Sequence, residues 1–244
     1  MKCIVLAAGY ATRLYPLTKD RPKSLLPVGG STILEFLIKK IEQVEDITGI
    51  FIVTNERFLG QFNDWAARYR GIKEVTVLSD GTTDNSNRLG AIADIQFAIC
   101  SGSINEDILV MAGDNLFHFS LNDFAGFFRQ VDRDCITAHE VADHNALRRT
   151  GVIEVDEQQR VIAFEEKPLN PKSNLAVPPF YIYKQETLPL IKEYLDEGNN
   201  PDAPGNFLPW LIKRKEVYVY KFAGERYDIG TVDSYQQVCR IFGG

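Results

Sequence analysis

A chain of 244 residues with 45% hydrophobic and 25% charged residues has ordinary globular composition, which excludes dominant intrinsic disorder. Its formal net charge of −6 argues against a long nucleic acid as partner, but leaves room for a small anion held by a local cluster of cations. Residues 2–8 form a continuous apolar run, the pattern of a strand buried on both faces. A loop is expected over 9–31, where Pro16, Pro22, Pro27, Gly29 and Gly30 forbid a long helix. Residues 32–44 have helical spacing, with Ile33, Phe36, Leu37, Ile41 and Val44 on one stripe. Strands are expected at 50–53 and 75–78, with a helix at 58–69 between them. The polar run DGTTDNSN at 80–87 reads as a loop, 89–99 as a helix, and 108–111 as a strand running into Ala112, Gly113, Asp114 and Asn115. Further strands are expected at 135–138, 151–155, 161–164, 175–183 and 217–222, with a hairpin turn at 156–159. Helices are expected at 186–195, 207–213 and 232–241.

The alternation of strand and helix in the first part predicts an α/β fold: a doubly wound, mostly parallel, Rossmann-like sheet, followed by a mixed-sheet extension. No linker-like shift in composition and no internal repeat divides the chain, so a single domain over 1–244 is expected. No apolar stretch approaches the ~20 residues of a membrane span, and the N-terminal run lacks the form of a secretory leader. A cytoplasmic protein without a membrane partner is therefore expected. Cys3, Cys100, Cys135 and Cys239 are scattered, without metal or redox spacing, and are expected as buried small apolar residues.

In an open parallel sheet, ligands bind at the carboxyl ends of the strands, so the loop after the first strand is the first place to look. It holds Arg13, Lys19, Arg21 and Lys23 against one acid, Asp20, a local charge of +3 in an acidic chain. Ala7, Ala8, Gly9 and Ala11 are small enough to let backbone amides approach a phosphate. Arg13 offers a forked guanidinium to phosphate oxygens and Lys23 a compact charge. A solvated surface loop accounts for the same composition. Neither G-x-x-x-x-G-K-[ST] nor G-x-G-x-x-G is present, which disfavours a P-loop enzyme and a Rossmann oxidoreductase.

Residues 5–28, VLAAGYATRLYPLTKDRPKSLLPV, closely resemble the opening of the sugar-phosphate nucleotidylyltransferases, whose pattern is roughly LAxGxGTRLxPxTxxxPKxLLPV. One departure is Ala11, where the family has its second glycine. The resemblance runs from Ile4 to about Val238. It implies nucleotide contacts at Leu6, Ala7, Ala8, Gly9, Ala11 and Thr12, and catalytic roles for Arg13, Lys23 and Lys167. Asp114 in GDN and Asp228 in YDIGT each read equally as ordinary turn or capping residues. Together they suit Mg²⁺, which prefers one or two carboxylates plus phosphate oxygens and water. The resemblance makes them the metal ligands. Asp233 is a nearby competitor that reads better as the start of the last helix.

By the same resemblance, EKP at 166–168 binds the sugar: Glu166 takes its hydroxyls and Lys167 its phosphate. The stretch EEKPLNPKSNLAVPPFYIY looks especially like the glucose-1-phosphate thymidylyltransferases, which places Asn174 and Val177 near the sugar. Gly151 reads either as a turn glycine or as a close backbone approach to the sugar. The base is expected between the first loop and the loop after the third strand, at Thr83, Asn85, Arg88, Leu89 and Gly90. The glutamine often found there in thymidylyl and uridylyl enzymes is missing.

The implied reaction joins an NTP to a sugar 1-phosphate, giving an NDP-sugar and pyrophosphate. The attacking phosphate is already ionised at neutral pH, which suits a chain with only three histidines. Residues 1–120 are expected to form a nucleotide-binding half, and 121–244 a sugar-binding half that also supplies Asp228. dTTP or UTP with glucose 1-phosphate is the first expectation. The alternatives are cytidylyl or guanylyl transfer to another phosphorylated acceptor, such as phosphocholine, a phosphonate or another sugar, and a non-catalytic NDP-sugar-binding regulator. A homo-oligomer is compatible with the sequence.

Overall fold

The computed structural model describes residues 1–242. In chain order the elements begin with β1 (Lys2–Leu6), β2 (Pro27–Val28), β3 (Ser31–Thr32), α1 (Ile33–Glu42), β4 (Gly49–Thr54), α2 (Leu59–Arg68) and β5 (Glu74–Ser79). Then come α3 (Ala91–Ser101), β6 (Ile108–Ala112), β7 (Asn115–Phe117), α4 (Leu121–Val131), β8 (Asp134–Glu140) and α5 (His144–Leu147). The chain continues through β9 (Gly151–Val155), β10 (Val161–Glu166), β11 (Leu175–Val177), β12 (Phe180–Tyr183) and α6 (Leu188–Asp196). It closes with α7 (Leu208–Leu211), β13 (Val217–Lys221), β14 (Arg226–Asp228) and α8 (Val232–Phe242). The α/β class expected from the strand and helix alternation is what the chain adopts. No helix among the described residues is long and apolar enough to cross a membrane.

The residues cluster into two compact units. The first comprises Met1–Leu89, Met111–Leu121 and the chain from Gly224 onward; the second comprises Gly90–Val110 and Asn122–Ala223.

In the first unit β1, β4 and β5 are parallel neighbours, with Cys3 opposite Ile50 and Ile50 opposite Val75. β1 is apolar throughout its centre because Cys3, Ile4 and Val5 are wholly buried. Helix α1 starts where Thr32 and Glu35 form a reciprocal capping box: Thr32 Oγ1 accepts from the Glu35 amide at 3.2 Å, and Glu35 Oε2 from the Thr32 amide at 2.7 Å. A separate ribbon pairs β14 with β7, so that Asp228 lies opposite Asn115. Beneath it, Leu14, Leu26, Val28, Ile33, Leu116, Ile229 and Val238 form one buried cluster. Helix α8 joins that cluster, and its Tyr235 hydroxyl donates to the Pro27 carbonyl at 2.7 Å.

The second unit is a mixed sheet. β8 pairs parallel with β13 and antiparallel with β11 and β12, and β9 pairs antiparallel with β10 and β11. The expected turn at 156–159 is present: the Asp156 amide donates to the Arg160 carbonyl at 3.0 Å, and Gln159 has φ 65°. The single strand expected over 175–183 is two, β11 and β12, because Pro178 and Pro179 interrupt the ladder. Helix α4 had not been expected, although Leu121, Phe124, Ala125 and Phe128 make a buried helical stripe. Of the cysteines, Cys3 and Cys135 are buried as expected, but Cys239 is half-buried and Cys100 exposed.

Candidate active site

The first unit gathers the charged groups singled out in the sequence. After β1 the backbone leaves the sheet, tied by the Ala7 amide to the Val53 carbonyl at 2.8 Å and by the Asn55 side chain to the Ala8 carbonyl at 2.8 Å. Gly9 is exposed, and nothing lies within 4 Å of where a Cβ would sit. Ala11 caps the short 3-10 turn Thr12–Leu14 with φ 47° and ψ 41°, in the left-handed region. That conformation costs an alanine roughly 1–2 kcal/mol, and a glycine almost nothing. Ala11 therefore keeps a glycine-like backbone, fixed by a hydrogen bond from the Thr18 hydroxyl to its carbonyl at 2.8 Å. Arg13 is exposed on the turn, between Ala11 and the buried Leu14.

Lys23 sits on a second 3-10 turn, Lys23–Leu25, and its Nζ lies 2.6 Å from Asp114 Oδ2. Asp114 follows β6, where the Gly113 amide donates to the Leu6 carbonyl at the end of β1 at 2.8 Å. A Cβ on Gly113 would lie 2.9 Å from that oxygen, so glycine is required for this approach. Asn115 Nδ2 donates to Asp114 Oδ1 at 2.6 Å, and Arg226 Nε donates to Asn115 Oδ1 at 2.6 Å. The Ile229 amide donates to the Asp114 carbonyl at 3.2 Å, which brings Asp228 beside this cluster.

The two acids are perturbed in opposite directions. Burial works against charge on Asp114, but the Lys23 ammonium, Arg226 and the Asn115 amide outweigh it and hold its carboxyl below the usual carboxylate range. Burial and then the Asp114 charge push the Asp228 carboxyl above that range, against the pull of Arg226, Lys23 and Arg13. Two carboxylates that repel each other are a donor set that could take up a further positive charge.

Thr83, Asn85, Arg88 and Leu89 lie in an exposed loop after β5. The Asn87 side-chain oxygen accepts from the Thr83 and Asp84 amides, both at 3.2 Å, and Arg88 donates to the Asn85 carbonyl at 3.2 Å. Tyr10 and Thr82 share a hydroxyl hydrogen bond at 3.1 Å, which ties this loop to the one after β1. Gly90 starts the second unit, at the N-cap of α3 with φ 95°; a Cβ there would meet the Pro201 carbonyl carbon and oxygen at 2.8 Å.

The second unit holds the other set. Glu166 lies opposite Gly151 on β9, and Gly151 opposite Val177 on β11, so the three share one row of the sheet. A Cβ on Gly151 would lie 2.5 Å from the Phe164 ring and 3.3 Å from Glu166 Oε2. Gly151 is thus the first residue of a strand rather than a turn glycine, and the group that demands a glycine there is the Phe164 ring. Lys167 follows with φ 49° immediately before Pro168, its amide bonded to the Thr150 carbonyl at 3.1 Å. Its Nζ lies 3.4 Å from Glu166 Oε1, and its side chain is 60% exposed. A left-handed lysine here costs about 1–3 kcal/mol, held by the surrounding structure. Asn174 is exposed at the far end of β11, three residues or about 10 Å along the strand from Val177.

The family model described as nucleotidyl transferase matches residues 2–241. The chain belongs to the nucleotidyl transferase family. It is 31% identical over 233 residues to the bifunctional protein GlmU of Methanococcus aeolicus, covering 94% of this chain and 51% of that protein. It is 27% identical over 261 residues to the glucose-1-phosphate adenylyltransferase of Bacillus mycoides, covering 96% of this chain and 66% of that protein. The chain thus spans about half the length of its GlmU relative. A protein from Bacillus anthracis, assigned as a glucose-1-phosphate thymidylyltransferase and solved with sucrose, superposes with a TM-score of 0.85. It is 26% identical, and the match covers 100% of this chain and 95% of that one. A UDP-glucose pyrophosphorylase solved with UDP-glucose superposes at 0.84 with 24% identity over 99% of this chain and 97% of that one, a likeness of fold.

For a nucleotidyl transferase, the donor set at Asp114 and Asp228 is informative. No group of three or more His, Cys, Asp or Glu residues suited to a metal occurs among the described residues. Two carboxylates alone fit a hard divalent cation that completes its shell with water and phosphate oxygens. Asp233 lies in the first turn of α8, as a terminal-helix residue should. Sequence reasoning missed Asn115, Arg226 and Thr150. Asn115 and Arg226 lie within two residues of the singled-out aspartates, but nothing local says that residues 111 positions apart pair.

Proposed function

We propose that the chain transfers a nucleotidyl group from an NTP to a sugar 1-phosphate, releasing pyrophosphate. The observation that carries this reading is the convergence of Asp114, Asp228, Lys23 and Arg226 within one unit, beside a small-residue loop. The chain is read as one nucleotidyltransferase domain, whose nucleotide side draws on residues 1–120 and whose sugar side draws on 121–244, with Asp228 returning from the latter. Mg²⁺ held by Asp114 and Asp228 would neutralise phosphate charge during the displacement.

The small-residue loop lines the triphosphate with Leu6, Ala7, Ala8, Gly9, Ala11 and Thr12. Arg13 stabilises charge on the departing pyrophosphate, and Lys23 holds the phosphates near the reacting phosphorus. Thr83, Asn85, Arg88, Leu89 and Gly90 face the base. In the second unit Gly151, Glu166 and Val177 take the sugar and Lys167 its phosphate, while Asn174 lies outside that row at the other end of β11. An oxygen of the sugar phosphate attacks the α-phosphorus, a new P–O bond forms, and the bond to the β-phosphate oxygen breaks. That nucleophile is ionised already, so positioning and charge neutralisation suffice without a general base.

The first substrates to test are dTTP or UTP with glucose 1-phosphate, and the likeness to the Bacillus anthracis protein supports dTTP. ATP enters through the adenylyltransferase relative. Ala11, in place of the family glycine, is the one feature that favours the non-catalytic reading, and its left-handed backbone keeps the loop shape that a glycine would give.

The test is pyrophosphate release from ATP, CTP, GTP, UTP and dTTP, each paired with a panel of sugar 1-phosphates, phosphocholine and a phosphonate. At least one sugar pair is expected to turn over, and Asp114→Asn to abolish that turnover while the protein stays folded. Full activity in Asp114→Asn would sink the metal assignment. Tight NDP-sugar binding without turnover for any pair would favour the regulator.

A further inference from the structure

We propose that Arg226 is a positioning residue, which orients Asp114 for the divalent cation through the side chain of Asn115. This rests on the metal reading above and adds a residue and a mechanism to it. Asp114 presents two oxygens with different partners: Oδ2 faces the Lys23 ammonium and Oδ1 the Asn115 amide nitrogen, each at 2.6 Å. A carboxylate held by two donors on different elements has little rotational freedom about its terminal bond.

The Asn115 contact works only in one orientation of the amide. Turned over, it would direct its oxygen at a carboxylate oxygen, and the pair would repel. What selects the working orientation is Arg226. Its Nε–H reaches the Asn115 side chain at 2.6 Å, and only the amide oxygen can accept there. Asn115 is buried, so water does not compete for that oxygen. The relay therefore runs from Arg226 to Asn115 to Asp114. The ribbon that carries it sets Asp228 directly opposite Asn115, the residue that follows Asp114.

Arg226 also carries a positive charge, which by itself would repel a metal ion. Charge and orientation thus predict opposite consequences for its removal. Glutamine separates them, since its Nε2 occupies the same place along the side chain as arginine Nε and keeps the donor without the charge. Methionine has similar length and neither donor nor charge.

The experiment is calorimetric titration of Mn²⁺ into wild type, Arg226→Gln and Arg226→Met, with thermal unfolding of each protein as control. Arg226→Gln is expected to bind Mn²⁺ at least as tightly as wild type. Arg226→Met is expected to bind roughly tenfold more weakly than Arg226→Gln, the usual loss when an outer partner of a metal ligand is removed. Equal affinity in the two variants would overturn the relay while leaving the metal site standing. Wild type that binds no Mn²⁺ would overturn the metal reading and the relay with it. Should Arg226→Met fail to fold, Asn115→Ala removes the relay at its middle; the same tenfold loss is expected, and wild-type affinity in that variant would refute the proposal.

Discussion

Around Asp114 and Asp228 the first unit concentrates charge, whereas around Gly151 and Glu166 the second unit concentrates shape. In the first, Lys23, Arg226 and Asn115 occupy both oxygens of one carboxylate or support its partners, and the second carboxylate is left under repulsion. In the second, the Glu166–Lys167 ion pair is largely exposed and contributes little. What holds Glu166 there is the missing side chain at Gly151 and another at Gly205, where a Cβ would lie 2.8 Å from Phe164 and 3.0 Å from Glu166 Oε2. The contrast teaches that one site should fail when charge is altered at constant size, and the other when size is altered at constant charge.

Lys23→Met tests the charged side most severely. It should lower the turnover rate by about 10²–10³, the scale of a single electrostatic contact to transferring groups. Some loss of thermal stability is expected as well, because Asp114 loses its ion-pair partner; a loss of stability with unchanged turnover would assign Lys23 to the fold alone. Gly151→Ala tests the shaped side. Forcing a methyl against the Phe164 ring should cost about 1–3 kcal/mol of stability and raise KM for the sugar phosphate, read by denaturant titration and steady-state kinetics. Gly9→Ala is its control, because its new methyl meets nothing. Its stability should stay within about 0.5 kcal/mol of wild type, with any change confined to KM for the nucleotide.

A smaller effect is expected at the α1 capping box. Burial raises the Glu35 pKa, but hydrogen bonds from Ser31 and Thr32 outweigh it and hold the carboxyl below its ordinary value. A depressed folded pKa stabilises the protein above the ordinary carboxylate pKa, and that contribution is lost as pH falls through the lowered value. Glu35→Gln should therefore cost stability near neutral pH and progressively less in acid. An unchanging difference between the two proteins across that range would show that the charge is irrelevant. Smallest of all, Ala11→Gly should relieve the left-handed alanine and gain about 0.5 kcal/mol, the strain being offset in part by the freer unfolded chain.

The parts legible in the sequence were those with local periodicity or an extended motif. The run from Cys3 to Val5 is apolar because it is buried on both faces, and the α1 stripe follows a helical period. The first loop could be read because its small residues and cations are contiguous. The ribbon of β7 and β14 could not: three residues are too few to display a period of two, and their pairing joins distant segments. The left-handed backbone at Ala11 was equally hidden, since alanine itself favours negative φ. Helix α4 was within reach, since Leu121, Phe124, Ala125 and Phe128 carry the helical spacing that identified α1.

The first unit is assembled from three separated stretches of chain, with Asp228 and α8 in the last of them. During synthesis the ribosome delivers the cation-rich loop first and its acidic counterpart some two hundred residues later. At the usual pace of translation that interval lasts roughly 10–40 s. Throughout it, the loop lacks Asp228, Arg226 and the Tyr235 hydroxyl that ties down Pro27. A nascent chain can complete the second unit before the first, but it cannot bring Asp114 and Asp228 together until residue 228 has been made. Truncation anywhere before Arg226 therefore leaves a product without the paired acids.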